Sequence, residues 1–194
     1  DSADDVTYEA GAVRARRTRR YGRLVLSESP LEKPDPDTVR EALMAAVRTQ
    51  GLAVLSLAEE SAQLRARVAL MRRLEGEAWP DFGDTMLLDR LEDWLEPLLE
   101  RVARLDALSP QAVTAALRML LPYDLQRRLD AEVPTHFETP AGGSLQIDYC
   151  AENGPALEVR LQELFGMDVH PAVAKGRAPL LLKLLSPAHR PVQT

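Results

Sequence analysis

The sequence predicts an α+β fold: N-terminal β strands from an auxiliary domain, an α-helical middle and a small β-β-α-β C-terminal unit. Three observations carry this prediction. Apolar and polar residues alternate over the first thirty positions, helical spacing takes over after a proline-rich stretch at 31–36, and alternation returns around Pro140, Ala141, Gly142 and Gly143. The corresponding divisions are residues 1–33, 34–133 and 134–194.

Val6 and Tyr8 alternate with polar neighbours, as do Val13 and Ala15, and Leu24 and Leu26 share one face of a third run, with Gly11 and Gly22 as the breaks. Three short strands have few apolar residues to bury, so they read as the end of a β-rich domain whose other strands lie upstream. The acidic start at 1–5 and the missing initiating Met fit a piece cut from a longer chain, not a signal peptide.

Pro36 or Asp37 opens a helix with Val39, Leu43, Ala46 and Val47 on one side, and Gly51 suits its C-terminal cap. Ser56 and Glu59 have capping-box spacing ahead of Leu57, Ser61, Leu64, Val68 and Met71, a helix that Gly76 ends. Asp84 is expected to cap a third helix carrying Leu87, Leu88, Leu91, Trp94, Leu95 and Leu98, which Pro97 should kink or split because it has no amide hydrogen. Ser109 and Pro110 begin another helix, Pro122 stops it, and a short helix runs over 123–131. Trp79 and Trp94 read as core residues of this middle.

Residues 135–139 and 144–149 alternate as two strands of a hairpin. Pro155 is then expected to start a helix with Leu157, Leu161, Leu164 and Phe165 on one stripe, closed by Gly166, and 178–185 reads as a buried strand.

A net charge of −6 over 194 residues argues against a chain that coats nucleic acid throughout, but the charge is uneven. Six arginines and no acid occupy 14–23, and ten acids face three arginines over 75–106. From Arg160 onward five bases outnumber Glu163 and Asp168. Arg14, Arg16, Arg17, Arg19 and Arg20 are therefore candidate phosphate contacts, as are Arg160, Arg177 and Arg190 around the last strand. The bland alternatives are a charge-protected edge strand whose arginines pair with acids such as Glu9 and Glu28, and an Arg160–Glu163 pair across one helical turn.

Catalytic signatures are missing. Gly142 and Gly143 are followed by no Lys-Ser or Lys-Thr, so the sequence has no phosphate-cradling P-loop, and it has neither a G-x-S-x-G turn nor an H-E-x-x-H helix. His136, His170 and His189 are widely spaced, which predicts no metal site. Cys150 is the single cysteine, expected to be buried or half-buried, and a reducing cytoplasmic setting is the simplest inference. No apolar run is long enough to span a membrane.

Several separate motifs, in order, resemble the C-terminal region of the HrpB family of bacterial DEAH-type ATP-dependent RNA helicases. They are G-R-L-V-L-S-E at 22–28, L-R-A-R-V at 64–68, W-P-D at 79–81, W-L-E-P at 94–97 and P-T-H at 134–136. P-A-G-G at 140–143, I-D-Y at 147–149, V-R-L-Q-E-L-F-G at 159–166 and G-R-A-P-L-L-L-K-L-L-S-P-A-H-R-P-V-Q at 176–193 complete them. The resemblance implies that the ATPase motifs lie in two N-terminal RecA-like domains, where ATP and Mg are bound and ATP is hydrolysed. It implies no catalytic residue and no cofactor in this stretch, an OB-like origin for the first strands, and the helicase core of the same polypeptide and RNA as partners. It also implies a continuation past 191–193, so that the final unit lacks an element here. The alternative reading is a protein-interaction module whose acidic middle binds a basic partner and no nucleic acid.

Overall fold

The computed structural model describes residues 2–9, 12–21, 24–30, 34–100 and 102–185. Gly11, Gly22, His189 and Arg190 lie outside the described residues. The chain divides into two compact units, one of Asp1–Ser61 and Gly83–Leu120, the other of Ala62–Phe82 and Leu121–Thr194.

The first unit opens with an antiparallel sheet of β1 (Ser2–Glu9), β2 (Ala12–Tyr21) and β3 (Leu24–Pro30), in that order, with a bulge between Arg19 and Arg20. Helix α1 (Pro36–Gln50) packs against β1 and β2. Its start is specified twice over: the Asp35 carboxylate accepts from the Thr38 N–H at 3.0 Å, and Pro36 occupies a first-turn position that needs no amide hydrogen. Gly51 ends it at φ 79°, donating its N–H to the Val47 carbonyl at 2.8 Å.

Helix α2 (Glu59–Glu75) contains the division between the units. It starts three residues beyond Ser56, which leaves Leu57 outside the helix with its N–H on the Leu55 carbonyl at 2.7 Å. The third helix, expected to be kinked or split at Pro97, is divided into α3 (Asp84–Asp89), α4 (Leu91–Trp94) and a 3-10 turn over Glu96–Leu99, its first break falling at Arg90. Gly83, not Asp84, holds the cap position of α3. Pro97 removes the amide that would continue the helical ladder after α4. Helix α5 (Pro110–Met119) completes the unit, with the Ser109 hydroxyl accepting from the Ala112 N–H. Leu43, Val47, Leu87, Leu91, Leu95, Leu99 and Leu117 are buried, and the buried Trp94 donates its indole N–H to the Leu87 carbonyl at 3.0 Å.

In the second unit α6 (Tyr123–Glu132) is followed by β4 (His136–Glu138), β5 (Ser144–Asp148), β6 (Ala156–Arg160), β7 (Ala172–Val173), β8 (Ala178–Pro179) and β9 (Leu181–Leu185). One sheet has the order β4-β5-β6-β9, antiparallel except for the parallel β6–β9 pair, and β7 and β8 form a separate ribbon. Leu157 and Val159 of β6 are buried beside Ile147 of β5, whereas Glu158 and Arg160 point to the exposed face.

The second unit departs from the sequence expectation in two places. The helix predicted from Pro155 is the strand β6 followed by a single 3-10 turn over Leu161–Leu164, because β6 finds ladder partners on both sides, in β5 and β9. The strand predicted over 178–185 is interrupted at Leu180 and is not buried throughout, since Leu181 and Leu184 stand exposed on a strand that ends the sheet order.

Candidate nucleic-acid interface

Along β2, Val13 and Ala15 are half-buried while Arg14 and Arg16 are exposed. Two residues apart on a pleated strand, the two arginines share one face. That exposed run ends at Thr18, which is buried. Pro30 of β3 is the register partner of Arg16, and an open cavity of about 550 Å³ is lined by Arg14, Ala15, Arg16, Ser29 and Pro30. Tyr8 is the cross-strand partner of Val13, so its ring belongs to the opposite face and supplies no stacking surface beside the two arginines. The arrangement suits phosphate contact more than base stacking.

β2 is the central strand of its sheet, so its arginines are not guarding a free edge. Acidic residues nevertheless stand near or across from arginines of β2 in the register. Arg14 Nε lies 3.8 Å from Glu9 Oε2 with both side chains more than half exposed, a contact worth little in water. Asp5 is in register with Arg16, and Asp4 with Arg17. The side chains of Arg17, Arg19, Arg20 and Glu28 lie outside the described residues.

The C-terminal candidates separate. Arg160 ends β6 on the exposed face that also carries Glu158 and its register partner Lys183. Its backbone N–H donates to Glu163 Oε2 at 2.9 Å, capping a single 3-10 turn over Leu161–Leu164 in place of the expected α-helical turn. Arg177 is engaged within its own unit. Its Nε donates to the Ala174 carbonyl at 2.9 Å, and Nη2 reaches Glu75 Oε1 at 2.8 Å and Glu132 Oε2 at 3.4 Å.

Around Arg177 lies an ion-pair network that sequence reading does not find. Glu75 accepts from Arg128, from the Trp79 indole N–H at 2.9 Å and from Arg177. These hydrogen bonds, that of Arg128 first, hold its carboxyl down at about 2. Glu132 is nearly buried, which opposes its ionisation, but bonds from Arg128 and Lys175 outweigh burial and keep its carboxyl below the usual range. The Arg128 guanidinium is pushed up in turn, by Glu75 first and then Glu132. The β7–β8 turn delivers Lys175 and Arg177 to this network through two residues in the left-handed region, Ala174 at φ 53° and Lys175 at φ 58°. The Ala174 N–H donates to the Glu132 carbonyl at 2.6 Å.

Among the described residues no group of three or more His, Cys, Asp and Glu is placed to hold a metal ion. His170 Nε2 lies 2.8 Å from the Leu180 carbonyl oxygen, and Cys150 is exposed where a buried or half-buried thiol is expected.

Residues 94–194 match the HrpB_C family model, described as ATP-dependent helicase C-terminal, and the chain belongs to this family. Over 184 residues it is 41% identical to the ATP-dependent RNA helicase HrpB of Escherichia coli (strain K12), a match that takes in 94% of this chain and 23% of that protein. Two solved structures share its α+β architecture over 100% of the chain. The E. coli DExH-box NTPase HrpB is 40% identical with a TM-score of 0.79, and the Escherichia coli DEAH/RHA helicase HrpB is 38% identical with a TM-score of 0.77. The chain covers 24% and 25% of them, so it spans about a quarter of the relatives it matches.

Proposed function

We propose that this chain is the non-catalytic C-terminal part of an ATP-dependent RNA helicase, supplying RNA contacts to a RecA-type motor elsewhere in the same polypeptide. ATP and Mg belong to that motor in this reading, since the sequence carries no P-loop lysine. A cytoplasmic setting goes with the single cysteine.

The observation that carries the RNA contact is the placement of Arg14 and Arg16 on one exposed face beside an open groove. Two guanidinium groups with no aromatic ring beside them among the described residues would grip phosphates and leave bases unread. A titration with single-stranded RNA at rising salt tests this. Each phosphate contact contributes roughly −0.7 to the slope of log K against log salt, so Arg14→Ala with Arg16→Ala should flatten the slope by about 1.4. An unchanged slope removes the site.

The competing reading, a protein module for a basic partner, draws on the acidic stretch at 75–106. Several of those acids are already paired: Glu92 with Arg48, Glu96 with Arg40 at 3.0 Å, Glu75 with Arg128 and Arg177. Internal neutralisation weakens that reading. Absence of RNA binding at low salt would restore it.

A further inference from the structure

We infer that Asn153 is a site of spontaneous covalent modification, at which the side-chain amide is lost to attack by the Gly154 nitrogen and isoaspartate is left at the β5–β6 corner. The inference is independent of the RNA contact.

Asn153 is the single asparagine of the chain, and a glycine follows it. The attack closes a five-membered ring between adjacent residues, so the reacting atoms need no encounter. Glycine, without a Cβ, leaves its own nitrogen unhindered. The surroundings are open as well, since a Cβ placed at Gly154 would meet nothing within 4 Å. Asn153 is exposed, so solvent reaches its amide. What restrains the nucleophile is the turn over 151–154, closed by the Gly154 N–H on the Ala151 carbonyl at 3.2 Å. That distance is at the long end of the ordinary range, and a surface turn held by such a bond opens at small cost.

The reaction balances with water alone. Solvent base takes the Gly154 amide proton, the nitrogen bonds to Asn153 Cγ, and the Cγ–Nδ2 bond breaks to release ammonia. The cyclic imide then adds one water. Cleavage at Cγ gives aspartate, whereas cleavage at the backbone carbonyl sends the main chain through Cγ and adds a methylene to it. No group is oxidised or reduced.

The corner is anchored on both sides, which gives the added methylene a structural effect. Before the turn, Asp148 Oδ1 accepts from the Cys150 N–H and from Gln63 Nε2, both at 2.9 Å, and the Tyr149 N–H donates to Gln63 Oε1 at 2.8 Å. After it, the Pro155 carbonyl accepts from the Leu181 N–H at 2.8 Å, and Ala156 is in register with Asp148 and Leu181. Gly154 spans the gap at φ 118°. A connection of fixed length takes up an extra backbone atom at its nearest bonds, so the Pro155–Leu181 bond yields first. A charge alone, on the exposed side chain of residue 153, leaves that bond in place.

Ageing the purified, folded protein at mildly alkaline pH tests the proposal. Isoaspartyl O-methyltransferase with labelled S-adenosylmethionine is the probe, and peptide mapping locates the label. Label should accumulate on the peptide that carries residue 153. Asn153→Gln, which would have to close a six-membered ring, should lower it there by roughly tenfold or more. A folded protein that stays unlabelled at 153 while the urea-unfolded chain is labelled overturns the proposal, because the turn then protects the site. Hydrogen exchange reads the consequence. The Leu181 amide should exchange roughly tenfold faster in the isoaspartyl form and at the parent rate in Asn153→Asp. Equal acceleration in Asn153→Asp would assign the effect to charge and overturn the role of backbone length.

Discussion

Both oxygens of the Glu75 carboxylate accept from Nη2 of Arg128, at 2.9 and 3.0 Å, and the same guanidinium lies 5.5 Å from the centroid of the buried Trp79 ring. One arginine thus joins the end of α2 to α6 while stacking over an aromatic core residue. Arg177 reaches the same carboxylate from the β7–β8 ribbon, so one ionised group ties three elements of the second unit together.

Acid should loosen this unit in a defined window. The unfolded chain takes up a proton on Glu75 near 4.5, whereas the folded chain does so only near 2. The stability Glu75 provides is therefore complete above about 4.5 and is lost as the pH falls toward 2. Urea unfolding at pH 6, 4 and 3 should show a steeper decline for the parent than for Glu75→Gln. At neutral pH that substitution should cost about 1–2 kcal/mol, discounted for the partly exposed cations. Coincident pH profiles would remove Glu75 from this role.

The arginines should divide by function. Arg177→Ala removes bonds to Glu75 and Glu132, so it should lower the melting temperature by a few degrees and leave the RNA salt slope unchanged. Arg14→Ala with Arg16→Ala should do the reverse, because both side chains are exposed and the Arg14–Glu9 contact is long, at 3.8 Å. A flattened slope in Arg177→Ala with no change in melting would reverse the assignment.

Arg67 provides a second test of the unit's interior. Its side chain is nearly buried and donates to the carbonyls of Val133 at 2.7 Å and Leu129 at 3.3 Å and to Asp130 Oδ1 at 3.0 Å. It thereby satisfies the Val133 carbonyl past the end of α6 and shares the Leu129 carbonyl with the Val133 N–H. Arg67→Met keeps much of the volume and drops every donor, so chemical denaturation should register a loss of about 2–4 kcal/mol. A loss below about 1 kcal/mol would mean that water reaches those carbonyls.

What is legible in the sequence follows from the range of the interactions. The starts of α1 and α5 are written locally, at Pro36 and in Ser109 with Pro110, and both helices begin where expected. The strand β6 is not local. Leu157, Leu161 and Leu164 satisfy helical spacing, but ladders to β5 and to β9 decide the outcome, and neither partner is visible from residues 155–166 alone. The Glu75 network is further out of reach, since Glu75 and Arg177 are 102 residues apart and the motif at 176–193 that contains Arg177 points to no partner for it. Arg14 and Arg16 are legible as a charged run, whereas the central position of β2 and the groove beside Ser29 and Pro30 need the register.

The β7–β8 turn gives the last prediction. Lys175 adopts φ 58°, a conformation that costs an L-residue about 1 kcal/mol, and its ammonium sits 3.0 Å from Glu132 Oε1. The Lys175 side chain is 69% exposed, so the ion pair contributes little and the backbone term dominates. Lys175→Asn should therefore be neutral to about 1 kcal/mol stabilising despite losing the charge, because Asn tolerates the left-handed region. Lys175→Val should cost about 1–2 kcal/mol, because a β-branched side chain fits that region worst. If Asn and Val prove equally destabilising, the ion pair and not the backbone governs this turn. The network around Glu132 would then depend on Lys175 as much as on Arg128.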